Sequence, residues 1–255
     1  DLMSSNSVKK IEIEGSTVKV NIVFGFPCAG YHDVLNKHLK RKLEAIEGVD
    51  SIEINISHNI VSHSVQRGVT PIKSVKNVIA IASGKGGVGK STVSVNVALA
   101  LAAEGANVGL LDADIYGPSQ PRMLGSSKDK PESEDGISFE PVIRYDLQTM
   151  SIGYLVEEDT PMIWRGPMVT QALEQLLRNT HWRELDYLII DLPPGTGDTQ
   201  LTLAQKIPVS GAAIVTTPQD IALLDARKGL KMFEKVNVPI LGIVENMSIH
   251  ICGKC

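Results

Sequence analysis

The apolar positions of this chain follow two different rhythms. Up to about residue 70 they alternate or recur in short runs. Val18, Val20, Ile22 and Phe24 stand at every second position, as do Ile52, Ile54 and Ile56, which is the spacing of strands with one buried face. Ile11 and Ile13 form a shorter run before them, and Glu14-Gly15-Ser16 supplies a hairpin turn. Val34, Leu35, Leu39, Leu43 and Ile46 recur at helical spacing, and Gly48 closes that helix. The order strand, strand, helix, strand predicts a small α+β domain over residues 1–70. Gly68-Val69-Thr70-Pro71 reads as a linker, because Pro71 disfavours helix before it.

From Asn77 onward the rhythm changes to apolar runs alternating with amphipathic stretches. Strands are predicted at Val78–Ala82, Asn107–Leu111, Tyr187–Ile190, Ala212–Thr216 and Ile240–Val244. Helices are predicted at Lys90–Ala103, Val169–Leu177, Thr199–Gln205 and Ile221–Phe233. Alternation of this kind predicts an α/β domain over residues 71–255, with a mostly parallel sheet flanked by helices. Between Gly125 and Thr160 the pattern weakens. Ser126 to Gly136 reads as an exposed polar loop, and Phe139–Ile143 and Thr149–Ile152 as an added pair of short strands.

The first apolar run feeds directly into Gly84-Lys85-Gly86-Gly87-Val88-Gly89-Lys90-Ser91-Thr92, which fits the phosphate-loop pattern G-x-x-x-x-G-K-[ST]. Glycines there let backbone N–H groups turn inward around a phosphate. The helix that follows aims the positive end of its dipole at the same anion. In such a loop Lys90 contacts the β- and γ-phosphates and Ser91 holds magnesium. A glycine-rich turn without ligand is the alternative, but the flanking strand and helix stand where the motif needs them.

Ligands of open α/β sheets bind at the carboxyl ends of strands, which singles out three further segments. Asp112 and Asp114 in Leu111-Asp112-Ala113-Asp114-Ile115-Tyr116-Gly117-Pro118 can orient a magnesium-bound water or accept its proton, or can cap a turn. Asp191 ends an apolar strand and opens Asp191-Leu192-Pro193-Pro194-Gly195-Thr196-Gly197-Asp198, the place of the carboxylate that steadies the magnesium shell. Asn246 follows the last predicted strand, where an amide can pair with the N6 and N7 edge of adenine or cap a turn.

The chain holds three cysteines, too few for a disulfide framework, which suggests a reducing, cytoplasmic setting. Cys28 precedes the first helix, where a thiol can react, bind metal or simply be buried. Cys252-Gly253-Lys254-Cys255 can share a metal or form a redox dithiol, with His250 close by as a surface residue. Structural zinc and iron–sulfur clusters usually take four thiolates or a thiolate–histidine mix. One copy supplies two, and two copies meeting at a symmetry axis supply four. Zinc and iron both suit thiolates.

A formal net charge of -4 gives no broad basic footprint for nucleic acid. No apolar run reaches the roughly eighteen residues that span a bilayer, and the N-terminus lacks the layout of a secretion signal. The chain opens on Asp1 and stops at Cys255, directly after a strand, where an α/β domain places a further helix. Both domains are therefore expected to be incomplete, the first at its N-terminal end and the second at its C-terminal end.

Taken together, these residues resemble a known family. Lys85, just after the first glycine of the loop, is similar to the signature lysine of deviant Walker ATPases, the group of MinD- and ParA-like proteins. Within it, Asp112-Ala113-Asp114-Ile115-Tyr116-Gly117-Pro118-Ser119, the segment from Asp191 to Asp198, and Glu245-Asn246-Met247-Ser248 before the cysteine pair resemble the Mrp/ApbC family of ATP-dependent iron–sulfur cluster carriers. Residues 1–70 resemble the small MIP18-type domain of bacterial members, with its first helix missing. The resemblance implies a homodimer with ATP and Mg2+ bound, a [4Fe-4S] cluster bridging Cys252 and Cys255 of two subunits, and delivery of that cluster to apo iron–sulfur proteins. It implies slow ATP hydrolysis, with Lys85 reaching the partner's nucleotide, Asp114 activating water and Asp191 linked to magnesium. A MinD- or ParA-like positioning ATPase is the competing enzyme, and a metal-binding scaffold without nucleotide turnover the competing non-enzyme. Neither accounts for cysteines and loop together.

Overall fold

The computed structural model describes residues 1–156, 166–249 and 251–253, with backbone alone at 166, 167 and 198. The chain divides into two compact units. One comprises Asp1–Val61 with Ala103–Ala106, and the other Ser62–Ala102 with the chain from Asn107 onward.

The first unit contains β1 (Val8–Glu14), β2 (Thr17–Phe24), α1 (His32–Leu43) and β3 (Ser51–His58). β2 is central, antiparallel to β1 and parallel to β3. The β1–β2 turn has Gly15 at φ +63° as the first of its two loop residues, a conformation that a hairpin of this length favours and a side chain resists. The alternating face is the one expected: Val18, Val20, Ile22 and Phe24 are all buried, together with Leu35 and Cys28. The helix is shorter than its apolar spacing suggests. It stops at Leu43, and the chain tightens through Ile46 N–H to Leu43 O at 3.1 Å. Val34 and Ile46, counted toward the buried stripe from sequence, are exposed.

The second unit is built on a seven-stranded sheet of β4 (Val75–Ser83), β5 (Val108–Asp112), β6 (Val142–Arg144), β7 (Leu147–Ser151), β8 (Leu185–Asp191), β9 (Gly211–Thr216) and β10 (Ile240–Glu245). The order across the sheet is β10-β9-β4-β8-β5-β7-β6, and only β6 runs antiparallel to its neighbour. Its helices are α2 (Lys90–Ala103), α3 (Gln120–Met123), α4 (Gly166–Asn179), α5 (Asp198–Lys206) and α6 (Asp220–Lys235). Every residue of β5 is buried, and Leu188, Ile189 and Ile190 of β8 have no exposed surface. Strands covered on both faces read as continuous apolar runs.

The five predicted main strands and four predicted helices are present, most extended by a few residues. The two short strands are displaced from their predicted bounds. They close on Tyr145 and Asp146, both at positive φ (49° and 61°), the two-residue hairpin conformation usually taken by Asn-Gly or Asp-Gly. Tyr-Asp does not announce such a turn, and the short α3 is likewise absent from the sequence prediction.

Crossovers from β4 to β5 and from β8 to β9 leave β4 between β8 and β9. The carboxyl ends of β4, β5 and β8 lie side by side, so Ser83, Asp112 and Asp191 end neighbouring strands. Asp112 is the register partner of Asp191.

Candidate nucleotide and magnesium site

The loop between β4 and α2 takes the conformation its glycines permit. Gly87 and Gly89 have φ of +79° and +85°. A Cβ on Gly89 would lie 2.3 Å from Asn246 Nδ2, and one on Gly84 would lie 2.4 Å from the carbonyl carbon of Asp225. The first and last glycines of the loop are therefore fixed by close approach, one to α6 and one to the chain after β10. Ser83 Oγ donates to Lys85 O at 2.9 Å, and Val88 is buried. The loop borders a cavity of about 300 Å³ lined in part by Lys85, Lys90, Ser91, Thr92, Asp114 and Ser119.

Helical spacing puts Lys90, Ser94 and Ala98 on one buried face of α2. That face meets the end of β8. Lys90 Nζ donates to Asp191 Oδ1 at 2.5 Å and lies 3.2 Å from Ser91 Oγ and 3.8 Å from Asp114 Oδ2. Ser94 Oγ donates to the same Asp191 oxygen at 2.9 Å, and Gln120 Nε2 to the other at 2.9 Å. Asp191 has no exposed surface, so these donors are what make its buried charge tolerable.

Asp112 stands beside it and is also wholly buried. Its Oδ1 accepts from the Asp114 N–H at 3.1 Å, and its Oδ2 from the N–H groups of Ser119 and Gln120 at 2.9 and 3.0 Å. Burial, and secondly Asp191, push its carboxyl up to about 7, with the N–H groups of Gln120 and Asp114 pulling the other way. Burial also raises the Asp114 carboxyl above its usual range, opposed by Lys90.

The structure thus brings together Lys85, Gly86, Gly87, Gly89, Lys90, Ser91, Thr92 and Asp114 around one cavity, with Asp191 joined to it through Lys90. Asn246 is placed against the loop: its Nδ2 donates to Val88 O at 3.0 Å and its Oδ1 accepts from Met247 N at 3.0 Å. Cys252 is exposed. Cys255 and His250 lie outside the described residues. Among the described residues no three or more His, Cys, Asp or Glu side chains gather into a metal-holding group. Sequence reasoning missed Ser94 and Gln120 as partners of Asp191. Ser94 was legible as the residue four after Lys90, on the same helix face; nothing in the local sequence marks Gln120.

Comparison with known proteins bears on the family of the chain. Residues 74–255 match the family described as NUBPL iron-transfer P-loop NTPase, and residues 1–56 match a second, described as iron-sulfur cluster assembly protein. The chain belongs to the NUBPL iron-transfer P-loop NTPase family. The Escherichia coli (strain K12) iron-sulfur cluster carrier protein is 56% identical over 239 residues, covering 94% of this chain and 65% of that protein. The Haemophilus influenzae protein of the same name is 52% identical over 255 residues, covering all of this chain and 69% of that one. The mouse iron-sulfur cluster transfer protein NUBPL is 57% identical over 187 residues, 72% of this chain and 58% of that protein. The chain therefore spans about two thirds of the length of the bacterial relatives (65% and 69%). A nucleotide-binding protein from Archaeoglobus fulgidus, solved with ADP, superposes with a TM-score of 0.63 at 41% identity over 72% of each chain. Membership of this NTPase family accords with the parallel sheet and the loop at the end of β4. Among the described residues no helix is long and apolar enough to cross a membrane.

Proposed function

We propose that this chain binds ATP with Mg2+ at the Gly84–Thr92 loop, hydrolyses it slowly, and carries a [4Fe-4S] cluster as cargo for apo iron–sulfur proteins. The observation that supports the reading most is the buried Lys90–Asp191 pair, with the half-buried Ser91 and Asp114 around the same lysine, beside the loop cavity. It is supported further by family membership and by the carrier and transfer names of the relatives.

The residues present fit a magnesium nucleotide. Two carboxylates and a hydroxyl converge on Lys90 beside the loop cavity, and Ser119 Oγ, on the cavity lining, is buried without a partner among the described residues. Ser91 and Asp191 would hold the metal, directly or through water. Bound magnesium would draw negative charge from the phosphate oxygens as the terminal bond breaks. Lys90 neutralises Asp191 in this structure, and a triphosphate would draw it away toward the β- and γ-oxygens. Asp114, with its raised carboxyl, would orient the attacking water and take its proton. Asn246, already on Val88 O, steadies the loop.

Two subunits would supply four thiolates from Cys252 and Cys255, and Lys85 would reach the partner's nucleotide, making ATP a determinant of dimer geometry. Residues 1–70 form an accessory α+β domain in this reading. Carriage is preferred to a MinD- or ParA-like positioning role because the family match is to iron transfer. The test is iron and sulfide quantification after anaerobic reconstitution, with size measurement by light scattering. The wild type is expected to hold a cluster as a dimer, and Cys252→Ala to lose it while still binding nucleotide. Equal iron and sulfide in both proteins would overturn the assignment, and metal without sulfide would point to zinc.

A further inference from the structure

Gln120 occupies an unusual position for a residue that no motif marks. It is the first residue of α3, only 2% exposed. Its backbone N–H is held by Asp112 Oδ2 at 3.0 Å. Both hydrogens of its side-chain amide are engaged: Nε2 donates to Asp191 Oδ2 at 2.9 Å and to Ser91 O at 3.0 Å. These partners are the two residues assigned to magnesium above, one from β8 and one from the start of α2.

Both partners are acceptors, so the amide has one sensible orientation, nitrogen toward the acids. That orientation leaves Gln120 Oε1 buried with no hydrogen-bond partner. An unmatched buried acceptor is costly. A side chain needed only to fill space here would be apolar and would avoid that cost. The fold tolerates the orphan oxygen and keeps the two donated bonds, which places the role of Gln120 in the bonds. Through them one side chain ties the Asp112–Gln120 turn, which carries Asp114, to Ser91 and to Asp191.

We propose that Gln120 is a positioning residue for the metal: it fixes Asp191 and the Ser91 backbone in the spacing that Mg2+ requires, so that the magnesium dependence of nucleotide binding runs through it. The proposal rests on the magnesium–nucleotide reading of this site. Residues that orient metal ligands typically change metal affinity 10- to 100-fold when removed.

The test is the affinity of the full chain for a fluorescent ADP analogue, measured with excess Mg2+ and with EDTA; the ratio of the two is the metal coupling. In Gln120→Met, matched in length but unable to donate, the coupling is expected to fall about tenfold, while affinity in EDTA stays within about twofold of wild type. Gln120→Asn keeps a buried amide one carbon shorter and answers the same question should the methionine variant not fold; it too is expected to lose coupling. An unchanged ratio overturns the proposal, whether affinity is unaltered or falls equally in both conditions, since a merely structural residue gives that pattern. If the wild type itself shows no nucleotide binding, or binding indifferent to magnesium, the underlying site reading fails instead.

Discussion

Asp112 is the residue whose chemistry departs furthest from expectation. In an unfolded chain its carboxyl titrates near 3.8, and in the fold it is pushed up to about 7 by burial and by Asp191. Between those values the folded protein holds a proton that the unfolded chain has released. Stability therefore falls as pH rises through that window and levels off above it. Chemical denaturation of the nucleotide-free protein is expected to show a higher midpoint at pH 5 than at pH 7.5, roughly the two sides of the folded value. Asp112→Ala is expected to flatten the difference, even if it lowers both midpoints. The sequence made both aspartates of the Asp112–Asp114 pair visible as candidates but could not divide their work. Register does so: Asp112 faces Asp191 within the sheet and gathers backbone N–H groups, whereas Asp114 lines the cavity.

Among the elements, those with a strong period were legible and those defined by backbone conformation were not. α2 begins and ends where its apolar run and the loop motif place it, and the main strands are found because burial on both faces makes them continuously apolar. The β6–β7 hairpin was blurred because Tyr145 and Asp146 carry positive φ without the usual residues. α1 was overextended because Ile46 fits the helical spacing yet sits in the turn beyond Leu43. Gln120 was invisible for a related reason: its partners are 29 and 71 residues away, and no local pattern reports such pairing. The hairpin offers a direct check. Tyr145→Asn with Asp146→Gly replaces two strained residues by the preferred turn and is expected to stabilise the protein by about 1 kcal/mol. Thermal or urea denaturation would measure it, and unchanged stability would show that the strain is already relieved locally.

At the scale of the whole molecule, the proposed function requires that nucleotide and cargo communicate. Lys85 lines the loop cavity, and among the described residues its side chain makes none of the ion pairs found at Lys90. In the proposed dimer it would add a charge-assisted contact across the seam. Lys85→Ala is therefore expected to slow both ATP hydrolysis and cluster release while leaving Mg2+-dependent nucleotide binding within a single protomer largely intact. Normal rates of both processes would remove Lys85 from the coupling. Family and fold class were readable from the motifs, because phosphate binding constrains residues close together in sequence. The proposed dimer rests on the family resemblance alone, because contacts between chains leave no local pattern in a single sequence.

The pairing of Asp112 with Asp191 also governs which changes of length this protein can survive. Successive residues of a strand point to opposite sides of the sheet. Deleting one residue inside β5 or β8 would turn its terminal acid to the wrong side and dismantle the site while leaving a plausible sheet. The exposed stretch from Ser127 to Gly136 carries no such parity, so insertions there should pass unnoticed where a single missing residue in either strand would not.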